Sequence, residues 1–244
     1  MHRSRTMSRG CAALVLMLVA GRGASAQSLG AGNGYPFNAI VLSTGMGTTS
    51  VDPLNARMTA AQFATLSNDA VSYGASGYFA LERALIGMDV QRSTFGEEGL
   101  NNGRTSDLST LQGMVTVGYA VAATQRFTLF PQFGVGLGRV EVTLRDRNGG
   151  STTASQPTFD EVAQSPGAES NLTARHLLYS VGGGADYLVA RRGASMGVVM
   201  GVRAGLLASP NRATWTRNGQ TIVAGPDAGA TGPYLRVVVG IGAR

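Results

Sequence analysis

The stretch "RFTLFPQFGVGLGRVEVTLRDR", residues 126–147, alternates with a period of two. Phe127, Leu129, Pro131, Phe133, Val135 and Leu137 occupy the odd positions, while Thr128, Phe130, Gln132, Gly134, Gly136 and Gly138 stand between them. One face is large and apolar, and the other is mostly small or polar. The period fits a strand rather than a helix, and three glycines and a proline argue against a helix as well. From Arg139 the two faces trade character. Arg139, Glu141, Thr143 and Arg145 now take the odd positions, and Val140, Val142 and Leu144 the even ones.

The same pattern recurs along the chain. Leu111, Val115, Val117, Tyr119 and Val121 alternate with Thr110, Gln112, Thr116, Gly118 and Ala120; Leu177, Tyr179, Val181, Ala185, Tyr187 and Val189 with His176, Ser180, Gly182, Gly184 and Asp186. Met196–Leu206 and Leu235–Ile241 follow the same rule, residues 71–82 and 84–92 follow it more weakly, and 38–47 is the faintest. These segments predict eight strands. Their connections alternate between short turns near Glu82-Arg83, 123–125 and 190–194 and long polar segments at 48–70, 93–108, 146–174 and 208–230. The long segments hold the turn formers, "GEEGLNNGRTSD", "RNGGSTTASQP" and "TRNGQ" among them. An up-and-down meander built this way carries all its long loops at one end, as membrane barrels do.

Alternation alone does not say which face points out, but the chemistry of the small face does. A soluble exterior carries a dense mixture of charges, whereas this face is Gly, Ser, Thr, Ala and Gln. It suits the crowded interior of a narrow barrel, which directs the apolar face outward into lipid. The odd-position apolar run of residues 127–137 would then span about 25 Å at a tilt near 40°. Arg139 marks where this strand is expected to leave the membrane. Phe79, Tyr119, Phe127 and Tyr187 lie near the short-turn ends of apolar faces, and Tyr73 and Tyr179 near the long-loop ends. Two girdles of membrane-interface aromatics are therefore expected.

The first residues set the compartment. Arg3, Arg5 and Arg9 precede the apolar run "CAALVLMLVA" (11–20) and "ASA" (24–26), the pattern of a secretory signal cleaved before Gln27. The run is too short to span a bilayer as a helix. Cys11, the single cysteine, would be lost with the signal, so no disulfide and no cysteine-ligated metal is expected. Four of the 20 arginines lie in that signal, leaving 16 against 14 acids, a net +2. So small a charge gives no basis for nucleic-acid binding. Residues 27–35 are expected to be an N-terminal periplasmic segment, and 36–244 the barrel.

The signal, the eight alternating strands, the Gly-rich inner face and the asymmetric loops resemble the small outer-membrane β-barrel family, the OmpX-like and OmpA-transmembrane-like proteins. The resemblance covers about residues 36–244 and is one of pattern. It implies a multi-pass barrel in the outer membrane, delivered by the barrel-insertion machinery, surrounded by outer-membrane lipid and monomeric. Its role would be structural, or one of contact with an extracellular ligand through the long loops. OmpA-like proteins add a periplasmic domain after the barrel, which is not expected here. The family commonly closes on an aromatic residue, whereas "YLRVVVGIGAR" ends on Arg244.

Little chemistry stands out. "GVGLG" (134–138) and "GGGAD" (182–186) lack the following helix that a phosphate-binding loop needs. His176, the single histidine after the signal, excludes a multi-histidine metal site, and no cofactor is expected. A Ser-His-acid lipid A-modifying hydrolase of the outer membrane is one alternative, although such enzymes place serine two residues after histidine, where this chain has Leu178 and only then Ser180. A soluble periplasmic barrel around an apolar ligand is another. The acidic pairs Glu97-Glu98 and Asp160-Glu161 are expected at solvated loop surface. Asp89, Asp186, Arg203 and Arg236 all carry inner-face parity, and unpaired charges are costly in a narrow interior. They predict a lumen charge network in which both arginines engage one or both aspartates.

Overall fold

The computed structural model describes residues 36–98, 103–146, 157–190, 194–210, 214–227 and 231–244. The expected signal and periplasmic segment therefore lie outside the described residues. Eight long strands form the wall: β1 (Asn38–Thr48), β2 (Thr65–Leu81), β3 (Ala84–Glu98), β4 (Arg104–Tyr119), β6 (Phe127–Asp146), β7 (Ser170–Val189), β8 (Met196–Ala208) and β11 (Gly232–Ala243). Each pairs antiparallel with the next, and β11 returns to β1, so the sheet closes into a barrel without an edge. Three short strands accompany them: β5 (Ala122–Ala123), β9 (Thr214–Arg217) and β10 (Gln220–Thr221). Pro131, which has no N–H to give to a ladder, sits where β6 changes partner, from β4 at Gln132 to β5 at Leu129.

Following the register from Ala80 through Leu85, Gly118, Gln132, Gly182, Gly205, Tyr234 and Gly47 returns to β2 at Ala70, a stagger of 80 − 70 = 10 residues. Eight strands with that stagger tilt by about 40° and enclose a cylinder of about 8 Å radius, which side chains can fill.

The outward face of this cylinder is apolar over a continuous belt. It includes Ile40–Met46 of β1, Val71–Leu81 of β2, Ile86–Val90 of β3, Leu111–Tyr119 of β4, Phe127–Leu137 of β6, Leu177–Val189 of β7, Met196–Leu206 of β8 and Leu235–Ile241 of β11. Among the described residues, no outward position of the belt carries a charge. With the tilt and stagger above, the belt is about 25 Å tall.

Above it the alternation keeps its phase but exchanges its chemistry. Arg139 and Arg145 are exposed and Glu141 is half-buried, while Val140, Val142 and Leu144 are buried. Leu172 and Ala174 of β7, Leu108 of β4 and Phe95 of β3 point inward with them. This apolar interior is completed by helix α1 (Asp52–Ala60), helix α2 (Phe159–Gln164) and the β9–β10 hairpin. Leu54 and Met58, Phe159 and Val162, and Trp215 and Ile222 enter the same core. Phe159 meets Trp215 edge-on, at 5.3 Å between ring centroids.

The long segments at 48–70, 93–108, 146–174 and 208–230 are thus corrected: much of their described length is strand, helix and hairpin with a core of its own. Where the outer face turns polar, burial must be found on the inner one. Asp160-Glu161, expected on a loop, lies in the first turn of α2, with Asp160 paired to Arg57 of α1 and Glu161 in a reciprocal cap with Thr158. Glu97-Glu98 forms the end of β3.

Because β1, β8 and β11 stop lower than their neighbours, β2 and the hairpin would leave open edges in this upper part, and both are covered. Asn55 of α1 accepts from Leu66 N (2.8 Å) and donates to Leu66 O (2.9 Å), occupying the backbone groups a further strand would use. Beyond β10, Val223 bridges to Thr158 and accepts from Phe159 N. At the opposite end of the barrel a second apolar cluster, Phe37, Ala39, Val41, Leu188, Val199 and Val238, fills the lumen.

Candidate functional site: the lumen charge network

The four charged residues are all buried between these two apolar clusters. Asp186 of β7 and Arg203 of β8 form a two-pronged ion pair, Nη1 to Oδ1 at 2.5 Å and Nη2 to Oδ2 at 2.7 Å. Tyr78 of β2 donates its hydroxyl to the same Oδ2 at 2.6 Å from across the barrel. The guanidinium carbon of Arg203 also lies 4.8 Å from the centroid of the Phe130 ring, at cation–π distance.

Glycines make this packing possible. A Cβ on Gly201 would stand 2.0 Å from Asp186 Oδ1, and one on Gly184 2.7 Å from Arg203 Cδ. The small residues of the inner face are therefore the spaces into which the long charged ones fold.

Arg236 of β11 and Asp89 of β3 make the second pair. These strands are separated by β1 and β2, so the contact crosses the lumen. It is a single contact, Nη1 to Oδ2 at 3.3 Å, with the guanidinium 4.3 Å from the Tyr234 ring. Arg236 Nε and Asp89 Oδ1 are buried without a hydrogen-bond partner. Gln91 donates to Ser43 Oγ at 2.7 Å in the same polar layer. A cavity of about 20 Å³ touches Asp89, Tyr78, Phe130 and Arg203, and another of similar size touches Ser72, Gln112, Tyr234 and Arg236. Each has room for about one water.

The structure thus brings each arginine to one aspartate, Arg203 to Asp186 and Arg236 to Asp89. Sequence reasoning missed Tyr78, Phe130 and Tyr234, the inward aromatics that complete the network. The signal was their parity: Tyr78 and Phe130 are large residues on the small face.

The six aromatics assigned to the girdles all lie on the outer face. Phe79, Tyr119, Phe127 and Tyr187 fall within about 7 Å of one another along the barrel axis, with Phe127 and Tyr187 directly paired. Tyr73 and Tyr179 stand about 15–20 Å higher on the same geometry.

His176 and Ser180 both point into the lumen and are buried, His176 beside Gly138 and Ser180 beside Gly134. Neither ring nitrogen of His176 is hydrogen-bonded, nor is Ser180 Oγ. A nucleophile and its base need hydrogen-bond reach, and these two do not make that contact. Among the described residues, no group of three or more His, Asp or Glu side chains is placed to hold a metal ion. The chain matches no family model and no curated protein.

Proposed function

We propose that this chain is an integral outer-membrane barrel of the OmpX-like and OmpA-transmembrane-like kind, with a plugged lumen and a structured extracellular cap. On this reading it is exported by residues 1–26 and inserted by the barrel-insertion machinery. Its role is non-enzymatic: mechanical support of the envelope, or contact with partners through the cap. The observation that carries the reading is the exchange of faces at Arg139. Below it the outer face is apolar around the whole barrel and the interior holds the charges; above it the outer face carries charges and the interior is largely apolar, with the Arg104–Asp146 ion pair as an inward exception. One alternation fits two solvents. A soluble ligand-binding barrel has no use for an uncharged belt about 25 Å tall, since exposed apolar patches on soluble monomers rarely exceed a few hundred Å².

The charge pairs and the apolar clusters at both ends favour a closed lumen over an ion pathway. The lipid-modifying alternative draws no support from His176 and Ser180, which face away from the apolar belt.

The test is to refold the denatured chain with and without phosphatidylcholine vesicles. Folding, read as a mobility shift between unheated and boiled samples on a detergent gel, is expected only with vesicles. A folded, monodisperse protein in plain buffer would overturn the membrane reading, and a stable open conductance in a planar bilayer would overturn the closed lumen.

A further inference from the structure

We infer that Arg92, Arg139 and Arg175 form a strip on the outer wall that binds the anionic phosphate headgroups of membrane lipids. The inference rests on the membrane reading above and concerns the boundary of the belt. On β3, β6 and β7 the first charged outward residue above the belt is an arginine: Arg92 after Val90, Arg139 after Leu137, Arg175 beyond Leu177. None of the three is an acid.

Arg139 and Arg175 are direct cross-strand partners on the same face. Opposed Cβ atoms in a sheet lie about 5 Å apart, and like charges placed so destabilise the pair. Arg139 is only loosely compensated, by Glu141 Oε1 at 3.6 Å and Thr173 Oγ1 at 3.4 Å. Among the described residues, Arg92 and Arg175 make no ion pair.

The next arginine up β6, three outward positions higher, is treated differently. Arg145 lies between Asp107 at 2.9 Å and Glu169 at 3.1 Å, so its charge is met by the protein's own carboxylates. Where the apolar surface ends and water begins, Arg139 has only the 3.6 Å carboxylate contact with Glu141, and among the described residues Arg92 and Arg175 have no carboxylate partner. A ligand that is anionic at its head and apolar in its tail fits that place, and guanidinium groups bind phosphate oxygens in two-pronged fashion.

The experiment compares the wild type, Arg139→Gln/Arg175→Gln and Arg145→Gln, refolded into nanodiscs of phosphatidylcholine with or without added phosphatidic acid. Folded fraction in phosphatidylcholine alone reads the membrane assignment. Phosphatidic acid co-released with the protein, counted by native mass spectrometry, reads the strip. The double variant should fold normally and hold phosphatidic acid roughly 30-fold less tightly, as expected for two cations removed from an anionic lipid surface. Arg145→Gln should match the wild type. Equal retention by the double variant, an equal loss in Arg145→Gln, or displacement of the lipid by free inorganic phosphate would each overturn the inference alone. Failure of the wild type to fold in phosphatidylcholine overturns the membrane reading and this inference with it.

Discussion

Asp186→Asn is the sharpest probe of the lumen. The substitution keeps the shape of the side chain and removes its charge, leaving the Arg203 guanidinium buried against an amide that accepts through one oxygen where two accepted before. Breaking a buried pair in this way costs about 3–5 kcal/mol, because the surviving charge is stranded in a low-dielectric interior. Removing both charges, in Asp186→Asn/Arg203→Met, strands nothing, and the double variant should lose less than the two single losses combined, with a coupling of about 2–3 kcal/mol. The second pair supplies an internal comparison. Asp89 and Arg236 share one contact at 3.3 Å and already leave polar atoms unpaired, so Asp89→Asn should cost only about 1–2 kcal/mol. The assay is urea unfolding of the refolded barrel in vesicles, followed by the gel mobility of the folded form. Additive losses in the Asp186/Arg203 cycle, or an Asp89→Asn cost as large as that of Asp186→Asn, would refute the reasoning.

Other outcomes follow from the same geometry. Val237→Arg places a cation at mid-belt and should cost about 2–4 kcal/mol in vesicles, whereas Thr143→Arg, on the same outward face above the belt, should stay within about 0.5 kcal/mol in the same titration. Asn55→Ala uncovers the Leu66 backbone and should cost about 1–3 kcal/mol, seen most directly as faster hydrogen exchange at the Leu66 amide. The hydrogen bond from Arg145, followed by that from Asn171, holds the Glu169 carboxyl below its ordinary range. A depressed carboxylate stabilises the fold above its unfolded value and loses that contribution as pH falls through the folded one; for so exposed a group the effect is small. In an NMR titration Arg145→Gln should move Glu169 up toward the ordinary carboxylate range, with the Asn171 hydrogen bond retained, and an unmoved titration would detach the shift from Arg145.

The barrel was legible because parity holds through the belt; the register shift in β2, between Leu66 and Ala70, falls above it. In residues 126–147 the same odd positions face outward from Phe127 to Arg145, so the sequence pattern is the wall itself. The lumen charges were legible for the same reason: Asp186, Arg203, Asp89 and Arg236 were placed inside by counting. Their pairing was not, because it depends on the ten-residue stagger, which no local pattern encodes and which alone brings Tyr78 to Asp186 and Asp89 to Arg236. The cap escaped for another reason. Its helices are short, and "DPLNARMTA" buries only Leu54 and Met58, too few to register as a helical stripe. Polar turn formers nearby hid the inward Leu108, Leu172 and Phe95. The Thr158-x-x-Glu161 spacing was a readable start signal for α2.

The pairing of Asn38 with Ala243 has a consequence for how the chain could be rewired. The first and last strands meet at the short-turn end, where every other neighbouring pair is joined by a brief connection. A link of a few residues between them would turn the wall into a continuous ring. That ring could be reopened at the Glu82-Arg83 turn without disturbing a belt position or any part of the cap, whereas reopening it between β6 and β7 would cut through the core around Phe159 and Trp215. The molecule therefore has one end that tolerates new termini and one that does not, and a circular permutant opened at Glu82-Arg83 should fold as the parent does.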